Sequence, residues 1–277
     1  MKHVFAAVIA LSLCSTIGFA QTPRPPQQVE FELMTWPEVK QAFAQGRTTA
    51  LFYTGGTEQR GPQNVNGGHT MMGKLIVKAI AEKLGNAIAM PVLPYTPNTA
   101  SAELPGTIGL TPDLLAAVLE RVGEQAITTG FKNIVIMGDH GGGQPNTYRA
   151  AAKKLNDKYA AKGIHAYYCD DVYIKAGDDF DAWLKTNGYP ASTHAGIPDT
   201  SLMLYLGGDS GWVRKDLVKT ALGDPVQVPG QPRAVTRVNN GITGDARRST
   251  AELGKMLFDI KVDYAVKQIQ GFLAQPK

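Results

Sequence analysis

The chain has 277 residues, of which 43% are hydrophobic and 19% are charged, and its formal net charge is +4. This composition is typical of a folded globular protein and excludes an intrinsically disordered chain. The basic residues form no cluster longer than an adjacent pair such as Arg247-Arg248. The sequence therefore predicts neither a nucleic-acid partner nor binding to an anionic membrane surface.

The first twenty residues have the order of a secretory signal. A short basic start precedes an apolar run from Val4 to about Leu13, and small residues follow up to Ala20. Because the apolar run is too short for an ordinary membrane span, we predict a signal peptide over residues 1–20 and a periplasmic or secreted protein. The alternatives are an uncleaved membrane anchor and a lipoprotein cut at Cys14, which the bulky Leu13 disfavours.

Residues 21–29 are rich in proline and glutamine and predict an extended arm. From residue 30 to residue 277, apolar runs alternate with amphipathic helices, which predicts a single domain. Continuous apolar runs are typical of parallel strands covered on both faces. The predicted fold is therefore an α/β protein, a three-layer α/β/α sandwich with a mostly parallel central sheet. The β-like runs are FELMT (31–35), TALFY (49–53), AIAMPVLPY (87–95), NIVIM (133–137) and IHAYYC (164–169).

The helices are predicted from apolar residues that recur at three- and four-residue spacing, with proline or a hydroxyl residue at the start and glycine at the end. The first is opened by Thr35-Trp36-Pro37, and the third runs from Thr111-Pro112-Asp113 to Gly130. The others are predicted over about 71–84, 145–162, 178–186, 198–206 and 249–273.

Two loops rich in glycine and polar residues follow predicted strands. The segment TGGTEQRGPQNVNGGH (54–69) carries Glu58 and His69, and the segment GDHGGG carries His140. Because the carboxyl ends of parallel strands share one edge of a sheet, we expect these loops to meet. A carboxylate and imidazoles are ligands that zinc and manganese accept, so we predict a shared metal site, with His194 of the segment STHAG close to it.

Two other side chains are predicted to be structural. His165 lies within a strand-like run. Cys169 ends the same run, and the neighbouring Asp170 and Asp171 disfavour a reactive thiolate.

Five segments, in this order over about residues 30–260, resemble the successive motifs of the creatininase family of metal-dependent amidohydrolases: GGTEQRGP, LPGTIGL, IVIMGDHGGG, STHAGIPDTSLML and GITGDARRSTAELG. The resemblance implies a creatininase-like fold. It also implies hydrolysis of a C–N bond in a small linear or cyclic amide, through a water that a metal activates. A lactonase acting at the same site and a non-catalytic binding or scaffold protein are the alternatives. A homo-oligomer, commonly a hexamer in the family, is a further expectation.

The resemblance assigns roles to individual residues. Glu58 and His140 take the places of metal ligands, and Asp199 takes that of an acidic ligand or ligand support. His194 takes the place of a histidine that assists proton transfer. Asp139, beside His140, could orient a histidine ring or cap the following helix.

Departures from the family pattern change the predicted metal content. Arg60 and Gln63 replace family histidines, Gly143 replaces an asparagine, and His69 stands where the family has an aspartate that bridges two metals. Two divalent ions without a bridging carboxylate would repel each other, and arginine does not deprotonate to bind metal. We therefore predict one divalent ion, with zinc favoured over manganese and two ions not excluded, held by Glu58, His69, His140 and Asp199.

The sequence supports two interpretations of Arg60. It could hold a carboxylate of an anionic substrate, as a catalytic-site residue, or it could form a salt bridge within its loop.

Overall fold

The computed structural model describes residues 27–98, 103–141, 144–227, 230 and 237–275. The predicted signal peptide over 1–20, the first part of the predicted arm and Gly143 lie outside these residues. The described end of the arm packs against the domain: Val29 is 5% exposed, and its carbonyl oxygen accepts a hydrogen bond from the Ala89 amide at 2.8 Å.

The central sheet has four parallel strands in the order β2-β1-β3-β4. They are β1 (Thr49–Thr54), β2 (Ala87–Ala89), β3 (Asn133–Gly138) and β4 (His165–Tyr168). The chain leaves β1 toward β2 and then returns past β1 to β3, so the direction of connection reverses between β1 and β3. In open parallel sheets the crevice at such a reversal, beside the carboxyl ends of the strands, is where ligands bind. The loops that carry Glu58 and His140 both leave from this point.

Helices cover both faces of the sheet. They are α1 (Trp36–Ala44), α2 (Gly68–Leu84), α3 (Pro112–Thr129), α4 (Gln144–Tyr159), α5 (Ile174–Thr186), α6 (Ile197–Gly207), α7 (Lys215–Val218) and α8 (Ala251–Leu273), with short 3-10 turns at Phe31–Leu33 and Ala160–Lys162. The predicted caps are present: Thr35 and Glu38 form a capping box, and the Thr111 side chain accepts the Leu114 amide. Within the described ranges, no helix combines the length and apolarity that a membrane span needs.

Alternate side chains of the central strands enter two separate cores. Leu51 and Val135 pack with α2, α5, α6 and α8, whereas Ala50 and Ile134 pack with α1, α3 and α4. Because both faces of the sheet are covered, its strands are continuously apolar. The three-layer α/β sandwich predicted from the sequence is confirmed.

Two predicted strand segments differ from the structure. The run 31–35 is not a strand: it contains the 3-10 turn Phe31–Leu33, and only Glu30 pairs with the sheet, at Ala89. The predicted strand over 87–95 ends at Ala89. Pro91 and Pro94 follow, and proline has no N–H to extend a ladder.

One predicted helix begins earlier than expected. Helix α5 starts at Ile174 and includes Gly177, which borders a large cavity. Glycine is a poor helix former, so the sequence pattern placed the start after it.

Candidate active site

Glu58 is the centre of a cluster at the carboxyl edge of the sheet. It lies in the loop after β1, is 2% exposed, and donates its backbone N–H to the Asn66 carbonyl at 3.0 Å. His69, near the start of α2, places Nε2 at 2.9 Å from Oε1 of Glu58. His140, after β3, places Nε2 at 2.7 Å from Oε2 of Glu58. Each carboxylate oxygen therefore faces one imidazole, and the two rings are nearly perpendicular, at 83°.

The three side chains fit a divalent metal ion. Among the described residues, one potential ligand atom each from Glu58, His69 and His140 lies within 4.8 Å of the others. One carboxylate and two imidazoles form a donor set that suits zinc and leaves coordination positions open. Burial alone would raise the pKa of Glu58, but the contacts with His140 and His69 outweigh burial and hold this pKa well below its usual range. Glu58 is therefore ionised, as a metal ligand must be.

Asp139 and Lys261 lie behind His69. Oδ2 of Asp139 is 3.4 Å from Nδ1 of His69, and Oδ1 accepts a hydrogen bond from Nζ of Lys261 at 2.5 Å. Burial would raise the pKa of Asp139, but the charge of Lys261 and the contact with His69 bring it below its usual range. This geometry matches the predicted orienting role of Asp139, which stays a prediction.

His69 lies between two carboxylates. Burial and the nearby Arg60 lower the pKa of His69, but Asp139 and Glu58 raise it by more, so the net shift is upward. Nε2 of His69 faces Glu58 and Nδ1 faces Asp139, so each ring nitrogen has a carboxylate partner.

Arg60 is completely buried, and its guanidinium lies between two carboxylates. Nη1 is 3.3 Å from Oε1 of Glu58, and Nη2 is 2.7 Å from Oδ1 of Asp199. Arg60 does not line the cavity described below. Its position matches the salt-bridge interpretation. Contact with a substrate carboxylate stays a prediction, and the burial of the Arg60 side chain does not favour it.

Asp199 lies in the first turn of α6. Besides the contact with Arg60, its Oδ2 accepts the backbone N–H of Ala195 at 2.8 Å. Ala195 has φ of 54°, a left-handed conformation that is uncommon outside glycine and that reverses the chain between His194 and α6. Asp199 stabilises this turn and is not among the three groups whose ligand atoms converge. Its predicted role as a fourth ligand stays a prediction.

His194 stands beside the cluster with its side chain 25% exposed. Nε2 lies 2.8 Å from the Gln59 carbonyl oxygen, so this nitrogen carries the proton of the neutral ring. Nδ1 then faces the Glu58 carboxylate at 3.6 Å. Burial lowers the pKa of His194, and the charges of Glu58 and Asp199 offset this only in part.

The cluster opens into a cavity of about 660 Å³. Such a volume suits a small molecule. The wall contributed by α5 carries Asp178 and Asp181, and Tyr173 lies at its edge. Partial burial raises the pKa of Asp181, and the charges of Asp178 and Asp199 raise it further.

Sequence reasoning missed Lys261. This residue is 5% exposed on the buried face of α8, four positions after Leu257 and four before Ala265. A lysine in the middle of an apolar helical stripe is the signal that could have revealed it, because an unpaired buried charge is very unfavourable.

Together, the parallel sheet and the carboxylate–imidazole cluster at its reversal point define an α/β protein with a candidate metal centre. The family model for creatininase, described as creatinine amidohydrolase, matches residues 32–269. The chain therefore belongs to the creatininase family. This confirms the resemblance of the five motifs and identifies the protein as an amidohydrolase.

Solved structures agree on the fold. A creatinine amidohydrolase (creatininase) is 19% identical, with a TM-score of 0.72, and the match covers 90% of this chain and 100% of that one. A manganese creatininase gives the same identity, coverage and TM-score. A mutant creatininase of the Zn–Zn type has a TM-score of 0.70 at 19% identity, covering 90% of this chain and 99% of the other. No match was found among curated proteins.

Proposed function

We propose that the protein hydrolyses a C–N bond of a small linear or cyclic amide, using one divalent ion held by Glu58, His69 and His140. The observation that carries the proposal is the convergence of three ligand atoms within 4.8 Å of one another, at the edge of a cavity that can take a small molecule. Membership of the creatininase family supports the choice of the C–N bond.

A divalent ion bound there would polarise the substrate carbonyl and lower the pKa of a bound water. Side chains and backbone of the protein provide the proton transfer and the orientation of the group that carries it. Neutral His194 presents Nδ1 toward the cluster, where it would take a proton from the attacking water and then deliver that proton to the leaving nitrogen. The Gln59 carbonyl, which accepts the Nε2–H of His194, fixes the ring in this orientation.

Arg60 supports a single ion at this site. Its guanidinium is a permanent positive charge 3.3 Å from Glu58, so a second cation close to the same carboxylate would meet electrostatic repulsion. We propose zinc as this ion because of the two imidazole ligands. The manganese and Zn–Zn forms of related creatininases support a divalent ion in general.

The charged side chains of the cavity wall indicate which substrate charge the site favours. Asp178 and Asp181 would repel an anionic group, and Arg60 is too deeply buried to attract one. Arg237, which also lines the cavity, is paired with Asp224 and Glu103. We therefore propose a neutral or cationic amide in place of the anionic substrate that the sequence suggested.

We also propose, from the signal-like residues 1–20 and the family, that the protein is exported to the periplasm or beyond and forms a homo-oligomer, with a hexamer as first choice. The N-terminal residue of the mature protein and its mass in solution would test these two points.

Metal analysis tests the proposal. We expect the purified protein to bind close to one equivalent of zinc and His140→Ala to lose it, whereas His165→Ala, which changes a histidine of β4 remote from the cluster, keeps it. A zinc content below about a tenth of an equivalent in the zinc-supplemented wild-type protein would contradict the proposal. Products separate the two reactions: amide cleavage yields an amine and an acid, on one molecule if the amide is cyclic, whereas lactone cleavage yields a hydroxy acid.

A further inference from the structure

Lys261 is a buried cation with a defined set of partners. Its Nζ donates to Oδ1 of Asp139 at 2.5 Å and to the carbonyl oxygen of Val172 at 3.1 Å. It also lies 5.6 Å from the centre of the Tyr173 ring. These contacts join α8, the end of β3 and the segment before α5 at one point. A buried lysine is unfavourable unless it is paired, so this arrangement depends on the Asp139 carboxylate.

The contacts continue from Lys261 to the centre of the cluster. Oδ2 of Asp139 is 3.4 Å from Nδ1 of His69, and Nε2 of His69 is 2.9 Å from Glu58. A carboxylate has two oxygens and can rotate, and Lys261 holds one of them. The other oxygen is thereby directed at His69.

We propose that Lys261 is a positioning residue for the metal centre, which acts through Asp139 to hold His69 with Nδ1–H toward Asp139 and Nε2 toward the ion. The inference rests on the proposed function, because it assumes that His69 is a ligand. Lys261 also balances the charge of Asp139, so that the negative charge facing the ion comes from Glu58 alone. A partner of this kind fixes the tautomer and orientation of a metal-binding histidine.

The experiment compares zinc affinities by competition with a chelating dye. Lys261→Met keeps most of the length of the side chain and removes its charge, and we expect the zinc Kd to rise about 10–100-fold. Lys261→Arg keeps the charge and should recover part of the affinity. The control is Lys255→Met on the exposed face of the same helix, where Lys255 pairs with Asp259, and it should leave the Kd unchanged.

A second comparison tests whether Lys261 acts through Asp139. In an Asp139→Asn background, Lys261→Met should weaken zinc binding by much less than it does in the wild-type protein. Urea unfolding of the metal-free variants separates this effect from a general loss of stability. Should Lys261→Met fail to fold, Lys261→Gln removes the charge while keeping a donor for Val172 and is measured in the same way.

The outcomes separate the two proposals. A wild-type protein that binds no zinc would contradict the proposed function. Zinc binding that is equally tight in the wild-type protein and in the Lys261 variants would overturn the role of Lys261 alone. A loss of stability without a change in the zinc Kd would also overturn it, because Lys261 would then only join three elements of the fold.

Discussion

The guanidinium of Arg60 lies 2.7 Å from the carboxylate of Asp199, and the arginine side chain is fully buried. The same guanidinium is 3.3 Å from Glu58. One permanent cation is therefore shared by two carboxylates that belong to different elements, the loop after β1 and helix α6. Arg60 is part of the structure of the site and neutralises charge beside the proposed ion.

We expect Arg60→Met to destabilise the metal-free protein by about 3–5 kcal/mol, because it leaves two carboxylates without their buried partner. Urea unfolding measures this change. The control Arg121→Met alters an exposed side chain and should change the free energy of unfolding by less than about 0.5 kcal/mol. Unchanged stability in Arg60→Met, together with weaker substrate binding, would favour the substrate-binding interpretation instead.

Zinc should raise the thermal stability of the wild-type protein and chelation should reverse the effect. At a free zinc concentration of one hundred times the Kd, the expected stabilisation is about 2.7 kcal/mol. Glu58→Gln should lose this response because it removes the central ligand. Glu120→Gln, which alters a carboxylate in an exposed pair with Lys154, should keep it. Thermal shifts of equal size in both variants would contradict the site.

His194→Gln should reduce the rate of amide hydrolysis by about 10²–10⁴-fold, because it removes the proposed proton carrier. Zinc content and the urea midpoint should stay close to those of the wild-type protein. The measurement is kcat on any amide that the wild-type enzyme cleaves, with His165→Gln as the control. Full activity in His194→Gln would exclude the proposed proton transfer.

The carboxylates of the cavity wall should favour cationic substrates. The measured quantity is the ratio of kcat/KM for a cationic amide to kcat/KM for its neutral isostere. Asp178→Asn and Asp181→Asn should each lower this ratio by up to about fivefold. The effect should weaken at high salt, because these groups are solvent-exposed. Asp209→Asn, which alters a fully exposed carboxylate that does not line the cavity, is the control. A larger kcat/KM for an anionic isostere in the wild-type enzyme would contradict the assignment.

Cys169 should make stability depend on pH in the alkaline range. Burial raises the pKa of its thiol, and the charges of Asp171 and Asp170 raise it further. The pKa of this thiol is therefore higher in the folded protein than in the unfolded chain. Its contribution to the free energy of unfolding is complete below the unfolded pKa of about 8.5 and decreases as the pH rises above that value. The urea midpoint of the wild-type protein should therefore fall more steeply above this pH than that of Cys169→Ala. Rapid reaction of a thiol reagent with the folded protein's Cys169 would contradict its burial.

The local sequence determined most of the elements and part of the site. Apolar periodicity and the caps at Thr35 and Thr111 predicted the helices, because these features act over a few residues. The strands β1 and β3 predicted that Glu58 and His140 would meet, because parallel strands bring their carboxyl ends to one edge. The structure brings these two residues to 2.7 Å.

The tertiary structure alone decided the surroundings of these residues. Lys261 is 122 positions from Asp139, and no local pattern indicates which loop a buried lysine of α8 will meet. The burial of Arg60 depends on the approach of α6, which supplies Asp199. Spacing along the chain fixes which face of a helix is apolar, whereas packing against the sheet fixes what each polar group on that face contacts. The metal ligands could therefore be proposed from the sequence, but the charges that orient and neutralise them required the fold.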